Sequence, residues 1–92
     1  MVPVHLTLVL TGPRPPTEDV AHALEDILWA HARPETALEH LRVRADSTAI
    51  GIVCYLRAAT TETARARARL LVADALAASG IGLDGCTVTL RC

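Results

Sequence analysis

The chain has 92 residues, of which 51% are hydrophobic and 21% are charged, and its formal net charge is −1 at pH 7. These values are typical of a globular chain with one hydrophobic core, and they exclude a disordered polyelectrolyte or a strongly basic nucleic-acid binder. We therefore expect residues 1–92 to form a single domain.

The cysteines and the N-terminal residues bear on the location of the protein. Cys54, Cys86 and Cys92 are odd in number and contain no CxxC pair, which disfavours a disulfide framework or a zinc site. The first ten residues lack a basic segment, and their apolar run is too short for a membrane span. We expect a cytoplasmic protein that has reduced thiols, no cofactor and no bound metal, and that binds neither nucleic acid nor membrane.

The first two predicted elements are a strand and a helix. In residues 2–10, one face holds Val4, Leu6, Leu8 and Leu10, and the other holds His5, Thr7 and Val9. This alternation predicts a strand with one buried side. A proline-rich loop follows, and Thr17 is a good N-cap for a helix that reaches about residue 32. The predicted core stripe of that helix contains Val20, Leu24, Ile27, Leu28 and His31.

A β-hairpin is predicted next. Residues 38–45 alternate with Leu41 and Val43 inward, and residues 48–57 are the most β-branched run of the chain. A turn at Asp46 and Ser47 would place Val43 opposite Ile50 and Leu41 opposite Ile52. The inward residues of the second strand are Ile50, Ile52, Cys54 and Leu56.

A second helix and a last strand complete the predicted order. Thr60 or Thr61 caps the helix, and Gly80 suits the position after its end. The predicted core stripe contains Ala64, Ala68, Leu71, Val72, Ala75 and Leu76. Residues 86–91 predict a final strand with Val88 and Leu90 inward.

The order β-α-β-β-α-β predicts a fold of the α+β class. Two βαβ units with right-handed crossovers form a ferredoxin-like sandwich, in which both helices cover one face of a four-stranded antiparallel sheet with strand order 4-1-3-2. The first and third strands are then central, in agreement with their apolar character.

The sheet face that no helix covers is the predicted binding surface. It is basic at its edges and mildly apolar at its centre, as expected for a dimer contact. Its candidate residues are His5, Thr7, Val9, His40, Arg42, Arg44, Val53, Tyr55, Thr89 and Arg91. RNA binding through this face is disfavoured because Tyr55 is the only ring on the central strand where bases would stack.

No catalytic, metal-binding or nucleotide-binding motif stands out in the chain. The main hypothesis is a small non-enzymatic binding or assembly module that forms a homodimer through the open face. The alternative is a small enzyme, or an accessory subunit of an enzyme, with a pocket between the sheet and a partner chain. His40, Tyr55, Arg42 and Arg44 would bind an anionic or carbonyl compound there.

Two apolar residues on the helices point away from the predicted core. Trp29 lies opposite the core stripe of the first helix, and Leu70 lies on an outer strip of the second, together with three alanines. Because tryptophan is enriched at interface hot spots, these two residues indicate a possible second surface for a protein partner.

Overall fold

The computed structural model describes residues 1–11, 17–46, 49–79 and 87–91. The elements are β1 (Val2–Thr11), α1 (Glu18–His31), a 3₁₀ turn (Pro34–Thr36), β2 (Leu38–Ala45), β3 (Ala49–Leu56), α2 (Thr61–Ser79) and β4 (Thr87–Arg91). The structure is of the α+β class, as predicted: two helices pack on an antiparallel sheet in which β3 lies between β1 and β2.

Local capping explains where α1 begins and ends. The hydroxyl of Thr17 accepts a hydrogen bond of 3.2 Å from the backbone N–H of Val20, and two acidic residues occupy the first turn, where the helix dipole favours negative charge. Ala32 has extended backbone angles, and Pro34 follows two residues later. The predicted helix is confirmed.

The core lies between the two helices and one face of the sheet. The inward residues of β1, β2 and β3 are almost fully buried, whereas the other parity is exposed or half-buried, as the alternation predicted. The buried core residues of the sheet are Val4, Leu6, Leu8, Leu41, Val43, Ile50, Ile52, Cys54 and Leu56. Those of the helices are Ala21, Leu24, Leu28, Ala64, Ala68, Leu71, Val72 and Ala75.

The predicted hairpin register was wrong by two residues. Val43 pairs with Ile52, not with Ile50, and Leu41 pairs with Cys54. The backbone N–H of Asp46 also donates to the carbonyl of Ala49 at 2.8 Å, in agreement with this register. Because the register differs by two residues, every side chain stays on its predicted face.

The connection from α1 to β2 contains features that the sequence did not indicate. After the 3₁₀ turn, Ala37 adopts a left-handed backbone conformation with φ 55° and ψ 39°. Its carbonyl accepts a 2.9 Å hydrogen bond from the N–H of Arg57, which ties the start of β2 to the end of β3. A β-bulge between Leu38 and His40 then adjusts the pairing with β3.

Helix α2 packs on the sheet mainly through alanine. The hydroxyl oxygen of Thr60 accepts a hydrogen bond from the backbone N–H of Thr63, with an N···O distance of 3.1 Å, which confirms Thr60 as the N-cap. Ala64, Ala68 and Ala75 are each 0% exposed. These small side chains bring the helix backbone close to the strands.

Several predicted features lie outside the described residues. They are the loop at residues 12–16, the turn residue Ser47, Gly80, Cys86 and Cys92. The side chains of β4 also fall outside the description. In the part of the chain that is described, no helix combines the length and apolar character needed to cross a membrane.

Candidate functional site

The face of the sheet opposite the helices presents the predicted binding residues together. Pairing of β1 with β3 places His5 beside Val53 and Thr7 beside Gly51, and pairing of β2 with β3 places Arg42 beside Val53. Because directly paired residues project to the same side of a sheet, these side chains form one continuous surface. We name this surface the open face.

The open face has an uncharged centre and a basic edge. Val9, Val53 and Tyr55 on β1 and β3 are half-buried by their neighbours, whereas Arg42 and Arg44 on β2 are exposed. No carboxylate lies among the outward residues of the paired parts of β1, β2 and β3. The carboxylate on β2, that of Glu39 in the bulge beside His40, forms a 3.6 Å ion pair with Arg57 at the end of β3.

Two aromatic rings meet at one end of the open face. His40 and Tyr55 pair directly across β2 and β3, and their ring centroids are 5.5 Å apart with a tilt of 41° between the planes. Tilted rings at this distance attract each other and hold the two side chains in place. The tyrosine hydroxyl and the histidine nitrogens are then available as polar groups beside the basic edge.

The centre of the open face is also hollow. Gly51 is exposed and stands between Thr7 on β1 and Arg44 on β2. A Cβ atom placed on Gly51 would meet no other atom within 4 Å. An approaching side chain therefore finds space above this backbone position.

The remaining candidate residues are distributed differently. Thr89 and Arg91 belong to β4, whose side chains are not described. Trp29 and Leu70 are exposed on the two helices, at 43% and 63% respectively. Among the described residues, no group of three or more acidic, histidine or cysteine side chains is arranged to hold a metal ion.

The structure also shows a cleft that the sequence analysis missed. Its volume is ≈ 450 Å³, and it lies between the end of α1, the 3₁₀ turn and α2. The lining residues are His31, Arg33, Glu35, Thr36, Arg67, Leu70, Leu71 and Asp74. The lining combines charged side chains of both signs with two leucines. Only the packing of α2 beside the 3₁₀ turn brings these distant segments together, so no sequence pattern indicated the cleft.

The buried thiol of Cys54 gives a testable pH dependence. Burial raises the pKa of Cys54 from about 9 to about 11, because the thiolate would lose its hydration in the core. Between about pH 9 and about pH 11, the folded protein therefore keeps the thiol proton of Cys54, whereas the unfolded chain releases it. We expect the contribution of this group to stability to be complete below about pH 9 and to fall by up to about 1.4 kcal/mol per pH unit until about pH 11.

Urea unfolding from pH 8 to pH 11, compared with Cys54→Ala, measures this contribution. The difference between the two proteins should change with pH, because alanine cannot titrate. The native thiol should also resist a thiol reagent at pH 8. A constant difference, or rapid modification of the native protein at Cys54, would contradict the buried position.

Comparison with protein-family models, with curated proteins and with solved structures finds no match to this chain.

Proposed function

We propose that the chain folds as a ferredoxin-like sandwich with four strands. We further propose that it is a small non-enzymatic binding module that self-associates through the open face. The fourth strand of this sandwich is β4, in the order 4-1-3-2. The antiparallel pairing of its backbone with β1, which sets Thr89 beside Val9 and Arg91 beside Thr7, supports the proposal. This pairing leaves β1 and β3 as the two inner strands.

The observation that carries the proposal is the uncharged centre of an uncovered sheet face. Val9, Val53 and Tyr55 are only half-buried, so closing this surface against another removes further apolar area from water, at about 25 cal/mol per Å². The exposed Arg42 and Arg44 stand at the rim, where an interface tolerates charge. In a dimer of two such faces, the uncharged centre of one copy would contact the uncharged centre of the other.

The size of the face predicts a moderate affinity. Four strands spaced at about 4.8 Å and eight residues of about 3.3 Å each cover about 500 Å² per copy. The two copies together would bury about 1,000 Å², slightly less than the about 1,200–2,000 Å² of a standard specific interface. Association should therefore depend visibly on protein concentration.

Substitution Val53→Glu tests the proposal. We expect the dimer to weaken at least about tenfold while the fold remains, because the carboxylate would enter the contact without a partner but is hydrated in the monomer. Sedimentation velocity over a range of concentrations gives the association constant, and circular dichroism checks the fold.

The matched control is Thr61→Glu, which places the same charge on an exposed residue at the start of α2. It should dimerise as the wild type does. A wild type that stays monomeric at about 1 mM, or a Val53→Glu variant that dimerises equally well, would exclude the open face as the association surface.

The ring contact between His40 and Tyr55 favours a second candidate function. With Arg42 two residues along β2, these groups form a polar corner that could bind an anionic or carbonyl compound between the sheet and a partner chain. The chain would then be a small enzyme or an accessory subunit of one. Titration with inorganic phosphate, followed by the NMR signals of the His40 ring, tests this function, and Arg42→Ala should abolish any saturable shift.

A further inference from the structure

The outer side of α2 carries an apolar seam. Leu70 is 63% exposed, and Ala66, Ala73 and Ala77 are exposed on the same side of the helix. These positions are separated by four, three and four residues, which is the spacing of a helix that packs against another helix. We name these four residues the α2 seam.

Most charged residues of α2 lie in the first half of the helix. Arg65, Arg67 and Arg69 all lie in the first half of α2, and Asp74 is the only charged residue of the second half. No basic residue occupies the last turn. Glu62 lies in the first turn, where the helix dipole favours an anion, and the three arginines and Asp74 lie outside the first and last turns, where the dipole has little effect. What matters for packing is therefore where these charges lie beside the seam.

We propose that α2 packs in antiparallel fashion against α2 of a second copy of this chain. Arg67 and Asp74 are seven residues apart, about 10 Å along the axis, with Leu70 between them. Reversal of the partner helix brings each Arg67 beside the partner's Asp74, and the two leucines meet near the centre. A parallel pair would place Arg67 at the level of the partner's arginines and away from its Asp74. In the antiparallel pair, the exposed Arg69 lies near its counterpart at the rim of the contact.

The surroundings of the seam fit a second helix. Alanine at three of the four positions permits the backbones to approach to about 8 Å. The ≈ 450 Å³ cleft opens beside Leu70 and can receive side chains of the partner. One guanidinium nitrogen of Arg67 donates to the carbonyl of Arg57 at 3.3 Å, which orients the group and leaves its other N–H donors for a carboxylate.

This interface is separate from the open face and does not rest on the proposed function. A pair of helices of this length buries less area than a standard interface, so the contact should be weak and visible at high protein concentration. If both interfaces form, each copy has two contacts and assemblies larger than a dimer result.

A charge-exchange experiment tests the proposal, and Val53→Glu is present in every protein to remove the open-face contact. Arg67→Asp alone and Asp74→Arg alone each create two repulsive pairs in an antiparallel homodimer, so each should associate at least about tenfold more weakly than the parent. An equimolar mixture of the two variants restores both pairs. Sedimentation velocity should show the mixed dimer at about the parent affinity.

Two controls separate the seam from general effects of charge. Arg65→Asp makes the same change on an exposed residue off the seam and should leave association unchanged, whereas Leu70→Glu should abolish it. Circular dichroism confirms that each variant is folded. The proposal is overturned if the parent is monomeric at about 1 mM, or if the mixture associates no better than its components. Failure of Val53→Glu to weaken wild-type association would refute the open face alone.

Discussion

Replacement of Ile52 by alanine is expected to lower the free energy of unfolding by about 2–5 kcal/mol, the usual cost of removing a buried aliphatic side chain. Ile52 is 1% exposed and stands on β3 between Val43 and Leu6, its partners on the two neighbouring strands. The cavity would open where sheet and helices meet, and neighbours held in paired strands cannot collapse into it. Urea denaturation at low protein concentration measures the loss.

Val53→Ala is the matched control on the adjacent residue of the same strand. Its side chain lies on the open face and is only half-buried, so truncation removes less buried area and leaves no internal cavity. We expect a clearly smaller effect in the same measurement. A loss below about 1 kcal/mol for Ile52→Ala, or equal losses for both variants, would contradict the assignment of the two faces of β3.

Introduction of leucine at Ala68 is expected to destabilise the protein by about 1–3 kcal/mol, although leucine is a good helix former. Ala68 is 0% exposed on the side of α2 that packs on the sheet. The additional carbon atoms would have to displace either the helix or buried strand residues. Overpacking of this kind outweighs the gain in buried apolar surface.

Ala78→Leu makes the same change at an exposed position near the end of α2. It should alter the urea midpoint little, because the new side chain remains in solvent and helix propensity is nearly unchanged. A variant Ala68→Leu as stable as the wild type would show that space remains between α2 and the sheet. Thermal melts of the two variants side by side provide the comparison.

The division of the sheet into a core face and an open face could be predicted from the sequence. Apolar residues at every second position of a strand indicate which of its two faces is buried. Every described inward residue of β1 and β3 that the alternation identified is buried, and Trp29 and Leu70 are exposed as expected. The open face followed from this parity alone. It did not require knowledge of the loops.

The hairpin register and the cleft could not be predicted in the same way. Register depends on which residues form the turn, and Asp46-Ser47 and Ser47-Thr48 are both acceptable turn pairs by composition. The left-handed backbone of Ala37 has no signature either, since this conformation normally favours glycine. The cleft depends on where the 3₁₀ turn sits beside α2, which is a property of packing and not of local sequence.

The outer edge of β2 limits how this protein can aggregate. The N–H of Ala45 donates to a carboxylate oxygen of Glu18 at 3.2 Å, so a side chain from α1 already occupies a donor at one end of the strand. At the other end, the bulge between Leu38 and His40 breaks the regular ladder. A foreign strand needs an unbroken row of backbone donors and acceptors to extend a sheet. The β2 edge is therefore a poor template for amyloid-like growth by addition of a strand.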